Sequence, residues 1–133
     1  MVLLAPWLDV TMSDPLSARI ADPLLTIRSL RKFGSEWAGS LDPADPIVSP
    51  LFGSLEGLPP TTVFSGSLDM LAPDTLRLRD RTIAEGLTNF SFVLRKGLIH
   101  DWPIFSFLPE AFSVRPQVYS ALLSTPATAT KSL

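Results

Sequence analysis

Three short runs of β-forming residues constrain the fold of this chain more than any other feature of its sequence. They are VLLAP at residues 2–6, TTVFSG at residues 61–66 and FSFVLR at residues 90–95. Continuous apolar runs of this length are typical of strands that are buried on both faces. Helix-like segments separate the runs, and such alternation favours a parallel sheet with right-handed crossovers. The sequence therefore predicts an α/β fold, with a short parallel sheet of about three strands and flanking helices.

Three segments have the apolar spacing of helices: residues 22–39, 73–86 and 108–123. In the first, Asp22 suits an N-cap and Pro23 the first helical position. In the last, Pro116 is expected to break or kink the helix. The side chains expected on the apolar faces are Leu24, Ile27, Leu30, Phe33, Trp37, Leu76, Ile83, Ala84, Leu87, Phe112, Tyr119, Leu122 and Leu123.

The remaining segments are assigned to loops. Residues 40–60 are rich in proline, and a loop of this length inside a compact domain is more often functional or packed than slack. Residues 124–133 are predicted to be a flexible tail. One domain, residues 1–123, is therefore expected.

The composition excludes several classes of function. Hydrophobic residues make up 46% of the chain and charged residues 18%, as in globular domains. A net charge of −2 gives no reason to expect a nucleic-acid partner. With no cysteine and one histidine, neither a metal nor a cofactor is expected. No segment reaches the about 18 apolar residues of a membrane span, and no signal peptide is recognisable, so a soluble cytoplasmic protein is predicted. The mean hydropathy of +0.28 is high for such a protein and indicates apolar surface that something else covers.

An acid and a base each follow one of the predicted strands. Asp69 lies in GSLDML after the second strand, and His100, the single histidine, lies in GLIHDW after the third. The carboxyl ends of parallel strands meet at one edge of a sheet, and neighbouring strands are about 4.8 Å apart. A histidine that takes a proton from an alcohol needs a carboxylate on its other nitrogen. We therefore expect the Asp69 carboxylate within about 2.6–3.5 Å of a His100 ring nitrogen.

Other interpretations of these residues remain open at this point. Asp69 could cap the helix that follows it, although Asp74 is better placed as a capping or first-turn residue. His100 could be an ordinary loop histidine. Asp101 could compete as its acid partner, but neighbouring side chains in an extended loop are expected to point apart.

Three stretches of the sequence resemble a known family: LLAPWLDVT, DPIVSPLFGSLEGLPPTTVFSGSLDMLAPD and GLIHDWPIF. They are similar to the C-terminal part of the hormone-sensitive-lipase-like esterases, the fold-3 group of α/β-hydrolases, and especially to bacterial carboxylesterases and lipases. The resemblance implies that Asp69 is the acid and His100 the base of a Ser-Asp-His triad. It also implies that residues 13–52 contribute to a lid and an acyl pocket, within a partial α/β-hydrolase domain at residues 1–123.

The chain departs from this family where the nucleophile is concerned. It contains neither a Gly-x-Ser-x-Gly motif nor two adjacent glycines, which the serine elbow and the oxyanion hole of the family use. Ser67 is the serine nearest to the acid, but it belongs to the same turn. The isolated chain is therefore expected to be inactive for lack of the nucleophilic serine.

Two function hypotheses follow. The first is a C-terminal portion of a carboxylic-ester hydrolase, which supplies the acid and base and acts on a small acyl-ester substrate. The alternative is a non-catalytic remnant or interaction module that complements an N-terminal esterase fragment. The expected partners are such a fragment or a second copy, bound through the Val2–Ala5 edge. Trp102 and Phe52 are candidate substrate-binding residues, although aromatic side chains after a strand more often belong to the core.

Overall fold

A parallel sheet of three strands lies at the centre of this computed structural model, which describes residues 1–123. The strands are β1 (Val2–Leu4), β2 (Thr61–Gly66) and β3 (Phe90–Arg95), in the order β1-β2-β3. Val2 lies opposite Thr62, and Thr61 lies opposite Phe90. The predicted α/β fold with three parallel strands is confirmed. The predicted tail, residues 124–133, lies outside the described residues.

Helices cover both faces of the central strand. The helices are α1 (Ile27–Ala38), α2 (Ala72–Ala84) and α3 (Pro109–Leu123), and single 3₁₀ turns lie at Ser17–Arg19, Pro50–Phe52 and Trp102–Ile104. Side chains of a strand alternate between the two faces. Val63 accordingly packs with Leu78 of α2, and Phe64 packs with Val114 of α3. Each face of β2 therefore has its own apolar core.

The predicted start of the first helix is wrong, and Pro116 does not break the last one. The first helix begins at Ile27 rather than Pro23, because the Thr26 hydroxyl caps it by accepting a hydrogen bond from the backbone N–H of Ser29. Asp22 instead closes the turn before the helix. Helix α3 runs through Pro116 without a break. A proline removes one backbone N–H, and the remaining hydrogen bonds and the buried side of α3 hold the helix together.

The predicted buried faces of the helices are also largely wrong. Leu30 is buried as expected, but most of the other side chains are exposed: Leu24, Phe33, Trp37, Leu76, Ile83, Phe112, Tyr119, Leu122 and Leu123. Besides Leu30 and Leu78, the buried sides of α1 and α2 carry small or polar residues, such as Gly34 and Thr75. A Cβ on Gly34 would lie 2.3 Å from the carbonyl oxygen of Val10, so α1 approaches the neighbouring loop through its backbone.

A buried carboxylate joins α2 to the segment after β1. Asp74 is 2% exposed, and its Oδ2 accepts hydrogen bonds from the backbone N–H groups of Leu8 and Asp9, at 3.0 and 2.8 Å. Asp74 was expected to act on its own helix as a capping or first-turn residue. It lies in the first turn of α2 but binds a segment 65 and 66 positions away in sequence.

Asp9 supplies a second carboxylate to this contact, and Arg77 lies close to both; Asp9, Asp74 and Arg77 are together called the polar joint. Asp9 is fully buried, and its Oδ2 lies 2.8 Å from Nη1 of Arg77, which is 3.6 Å from Oδ1 of Asp74. Burial opposes ionisation of Asp9, but hydrogen bonds from Ser13, Thr11 and Arg77 outweigh burial and hold its pKa below the ordinary value. Burial raises the pKa of Asp74 to about 6. The two carboxyl groups of the joint therefore ionise in different pH ranges.

We expect Asp74→Ala to lower the free energy of unfolding by about 2–4 kcal/mol, because two buried N–H groups lose their acceptor. Asp74→Asn keeps one acceptor oxygen and should cost less.

The pH dependence of stability gives a second test of Asp74. Its carboxyl pKa rises from 3.8 to about 6 on folding. The neutral carboxyl therefore stabilises the fold fully below pH 3.8, and this contribution is lost as the pH rises through about 6. Asp74→Asn should therefore remove a fall in stability between these pH values. Urea unfolding at several pH values measures both effects, with Asp80→Asn, an exposed change on the same helix, as the control. An Asp74→Ala variant as stable as the wild type would contradict this account.

Candidate active site

The loops after β2 and β3 bring one acid and one base together. Oδ1 of Asp69 lies 3.2 Å from Nδ1 of His100, within the expected range. Asp69 is fully buried, whereas 20% of the His100 side chain is exposed. One ring nitrogen of the histidine is thus held by a buried carboxylate, and the ring remains accessible to solvent.

Backbone contacts between the two loops determine this distance. Ser67 Oγ accepts a hydrogen bond from the N–H of Gly97 at 2.9 Å, and the N–H of Leu68 donates to the carbonyl of Leu98 at 2.9 Å. At the end of β2, a Cβ on Gly66 would lie only 2.2 Å from the carbonyl oxygen of Leu98. The loops meet through their backbones at Gly66, and the Ser67 hydroxyl joins them.

Asp69 has two contacts through a single oxygen. Its Oδ1 also accepts a hydrogen bond from the N–H of Leu71 at 2.9 Å, at the start of α2. Leu71 is the N-cap residue of α2 and the helix has no side-chain cap hydrogen bond, so Asp69 does not cap it. The carboxylate instead closes the turn before the helix and contacts the histidine. Its Oδ2 is buried and has no hydrogen-bond partner among residues 1–123.

Asp101 lies beside the other nitrogen of His100, contrary to expectation. Its Oδ2 is 3.4 Å from Nε2 of His100. The expectation assumed an extended loop, but the Asp101 backbone is left-handed, with φ of 53°, which turns the side chain back towards the ring. The hydrogen bond with Asp69 raises the pKa of His100, helped by the charges of Asp69, Asp101 and Asp22 and opposed by burial. Burial raises the pKa of Asp101 itself.

The two aromatic side chains predicted to bind substrate differ in exposure. Trp102 has no exposed surface and packs with Phe64, Leu98 and Val114, which favours the core interpretation. Phe52 is 40% exposed. It lines a cleft of about 370 Å³ whose walls are formed by Leu51, Phe52, Arg77, Asp80, Arg81 and Ala84. Neither Asp69 nor His100 borders that cleft.

An apolar cleft of about 400 Å³ lies at the carboxyl ends of β2 and β3. Leu16 and Ile20 form one wall, and Ser65 and Leu94 at the strand ends form another. The family resemblance implies a pocket contribution from residues 13–52, but the sequence does not indicate which of their side chains line a cleft, because the apolar side chains around residues 16–20 have no helical or strand periodicity.

Neither a metal site nor a membrane span is found in the described part of the chain. Within residues 1–123, no group of three or more histidine, aspartate or glutamate side chains is placed to hold a metal ion. None of the helices described there has the length and apolar character needed to cross a bilayer.

We expect Gly66→Ala to separate the two loops, because the added Cβ meets backbone that cannot move independently. The free energy of unfolding should fall by about 1–3 kcal/mol, and the pKa of His100 should fall as its contact with Asp69 lengthens. Gly53→Ala is the matched control, since its Cβ would have ordinary 3.4 Å contacts and its φ is −82°. Chemical denaturation and NMR titration of the single histidine measure the two effects. If both variants behave alike, close approach at Gly66 does not position the pair.

Comparison with known proteins identifies the family. A family model described as the alpha/beta hydrolase fold matches residues 1–104. The chain is 45% identical over 122 residues to a triacylglycerol lipase of Mycobacterium tuberculosis, and the match covers 92% of this chain. It is 34% identical over 116 residues to an esterase of Acinetobacter venetianus, over 84% of this chain. Among solved structures, an esterase from the bacterial hormone-sensitive lipase family superposes with a TM-score of 0.81 at 28% identity, covering 88% of this chain.

The matched region is only part of each relative. It spans 23% of the lipase, 38% of the Acinetobacter esterase and 40% of the esterase of known structure. The parallel order of β1, β2 and β3 agrees with the matched fold. The chain belongs to the α/β-hydrolase fold family, as a hormone-sensitive-lipase-like member that spans part of the length of its relatives.

Proposed function

We propose that this chain is the portion of a carboxylic-ester hydrolase that supplies the acid and the base of a Ser-Asp-His triad. The observation that carries the proposal is the 3.2 Å contact between Oδ1 of Asp69 and Nδ1 of His100, at the carboxyl edge of the sheet. The acid precedes the base along the chain, as it does in this fold. The 133 residues contain no Gly-x-Ser-x-Gly motif, so the serine and the oxyanion donors come from another segment.

In the assembled site the two residues have different roles. Nδ1–H of His100 donates to Asp69, so the lone pair of the neutral imidazole is on Nε2. Nε2 takes the proton of the serine hydroxyl as the oxygen attacks the ester carbonyl, and it later protonates the leaving alcohol. Asp69 is fully buried, where a negative charge stabilises the imidazolium more than it would in water.

The proposed substrate is a small acyl ester. The named relatives include a triacylglycerol lipase and an esterase, and both names refer to cleavage of ester bonds. Leu16 and Ile20 of the predicted lid segment line an apolar cleft, but neither Asp69 nor His100 borders it, so an acyl pocket formed by residues 13–52 stays a prediction from the sequence. Phe52 as a substrate contact and a cytoplasmic location both stay predictions from the sequence.

The proposed partner docks on the edge strand β1. Among residues 1–123, this strand is paired on one side only, with β2. An apolar cleft of about 530 Å³ lies beside it, lined in part by Leu3, Leu8, Leu55 and Phe90. An unpaired strand edge next to apolar surface suits another β-strand and the helices that would accompany it.

We expect the isolated chain to hydrolyse p-nitrophenyl butyrate no faster than its His100→Ala variant, because triad members act as a unit and the nucleophile is missing. Co-expression with a fragment of a relative that carries the Gly-x-Ser-x-Gly motif and the adjacent glycines of the oxyanion hole should give hydrolysis that Asp69→Asn and His100→Ala each abolish. Glu110→Gln, an exposed charge change in the first turn of α3, is the control and should leave the rate unaltered.

Two experimental outcomes would contradict this proposal, and each would favour a different function. Saturable turnover by the isolated chain, lost in His100→Ala, would mean that the chain contains its own nucleophile, with Ser67 the first to test. A stable complex that does not hydrolyse esters would favour the alternative function, a non-catalytic module that binds an esterase fragment.

We also expect the isolated chain to self-associate, because its β1 edge and the apolar surface beside it are uncovered. Sedimentation velocity over a range of concentrations measures this association, and co-expression with the complementary fragment should suppress it. A monodisperse monomer at tens of micromolar, with cooperative unfolding, would show that the Val2–Ala5 edge does not mediate assembly.

A further inference from the structure

The imidazole of His100 lies between two carboxylates. Asp69 lies 3.2 Å from Nδ1, and Oδ2 of Asp101 lies 3.4 Å from Nε2. In the proposed mechanism Nε2 is the nitrogen that takes the proton of the hydroxyl, so its lone pair must face that hydroxyl. An ionised carboxylate only accepts hydrogen bonds. Asp101 acts on Nε2 through its negative charge at this distance, and that charge favours a ring that carries a proton on both nitrogens.

The turn after His100 holds Asp101 in this position. Its backbone has φ of 53° and ψ of 24°, a left-handed conformation that aspartate, asparagine and glycine tolerate better than other residues. The N–H of Ile104 donates to the carbonyl of Asp101 at 3.1 Å, and Trp102, the next residue, has no exposed surface. The buried tryptophan anchors the turn, and the turn directs the carboxylate to the ring.

We propose that Asp101 is a positioning residue that holds Nε2 of His100 while no hydroxyl is bound there, and that it must release this nitrogen before His100 acts as a base. The effect of Asp101 on catalysis depends on the function proposed for His100. The contact between Asp101 and His100 does not depend on that function.

The charged groups that act on His100 come from three parts of the chain. Asp69 belongs to the loop after β2 and Asp101 to the loop of the histidine itself. Asp22 contributes from the segment before α1, where its Oδ2 accepts a hydrogen bond from the N–H of Met70 at 2.8 Å. All three are carboxylates and raise the pKa of the ring. Of these three carboxylates, Asp101 is the one that lies beside Nε2, the nitrogen that would take the proton of the serine hydroxyl.

NMR titration of His100 in the isolated chain tests the contact directly, because the chain has a single histidine. Asp101→Asn should lower the pKa of His100 by about half a unit to one unit, since the ring loses a negative charge. Asp101→Gly suits the left-handed backbone and should lower the pKa as well, without adding an amide that could donate to Nε2. Asp80→Asn removes an equal charge on the exposed side of α2 and should leave the pKa unchanged.

A double variant separates a local contact from general loosening of the loop. If Asp101→Asn removes only the Nε2 contact, Asp69→Asn on that background should lower the pKa of His100 further. If Asp101→Asn disorders the loop, the Asp69 contact is already lost, the second change has no effect, and the proposal fails. An unchanged pKa in both Asp101→Asn and Asp101→Gly would also overturn it.

Activity of the co-expressed complex gives a second readout. With Asp101→Asn, the rise of kcat/KM with pH should move to lower pH by the same interval as the pKa of His100. If the complex proves inactive, the proposed function fails, but the titration of the isolated chain still decides whether Asp101 holds Nε2.

Discussion

Close approach of the backbones at the carboxyl end of β2 is the constraint on which the candidate site depends. Parallel pairing of β2 with β3 directs both following loops to one edge of the sheet. At Gly66 the space for a side chain is occupied by the carbonyl of Leu98. The Asp69 and His100 side chains meet because nothing separates the loops that carry them. Burial of Asp69 then makes its charge more effective on the ring.

The polar joint between α2 and the segment after β1 has a comparable function beyond the end of β1. Asp74 accepts backbone N–H groups of the segment after β1, so that segment needs no strand partner of its own. Arg77 lies between Asp9 and Asp74 and offsets the repulsion of two buried carboxyl groups. The joint holds the start of α2, and with it the loop of Asp69, against β1.

Many large apolar side chains of residues 1–123 are exposed to solvent rather than packed in the core. Trp37 of α1 is 71% exposed and Ile83 of α2 is 70% exposed, while each of these helices buries only one large apolar side chain, Leu30 in α1 and Leu78 in α2. Surface of this kind is costly in water and suits contact with further protein. It agrees with a matched region that spans 23% to 40% of the relatives described above.

The sequence alone determined the strands, their parallel arrangement, and the placement of Asp69 and His100 at one sheet edge, because these follow from short runs and from the order of elements. Only the tertiary structure decided which helix faces are buried, since the apolar spacing of α2 and α3 indicated sides that the sheet does not contact. It also decided the partner of Asp74, which is 66 positions away along the chain. The place of Asp101 was missed because its backbone takes a left-handed turn, and the packing of Trp102, rather than local sequence preference, anchors that turn.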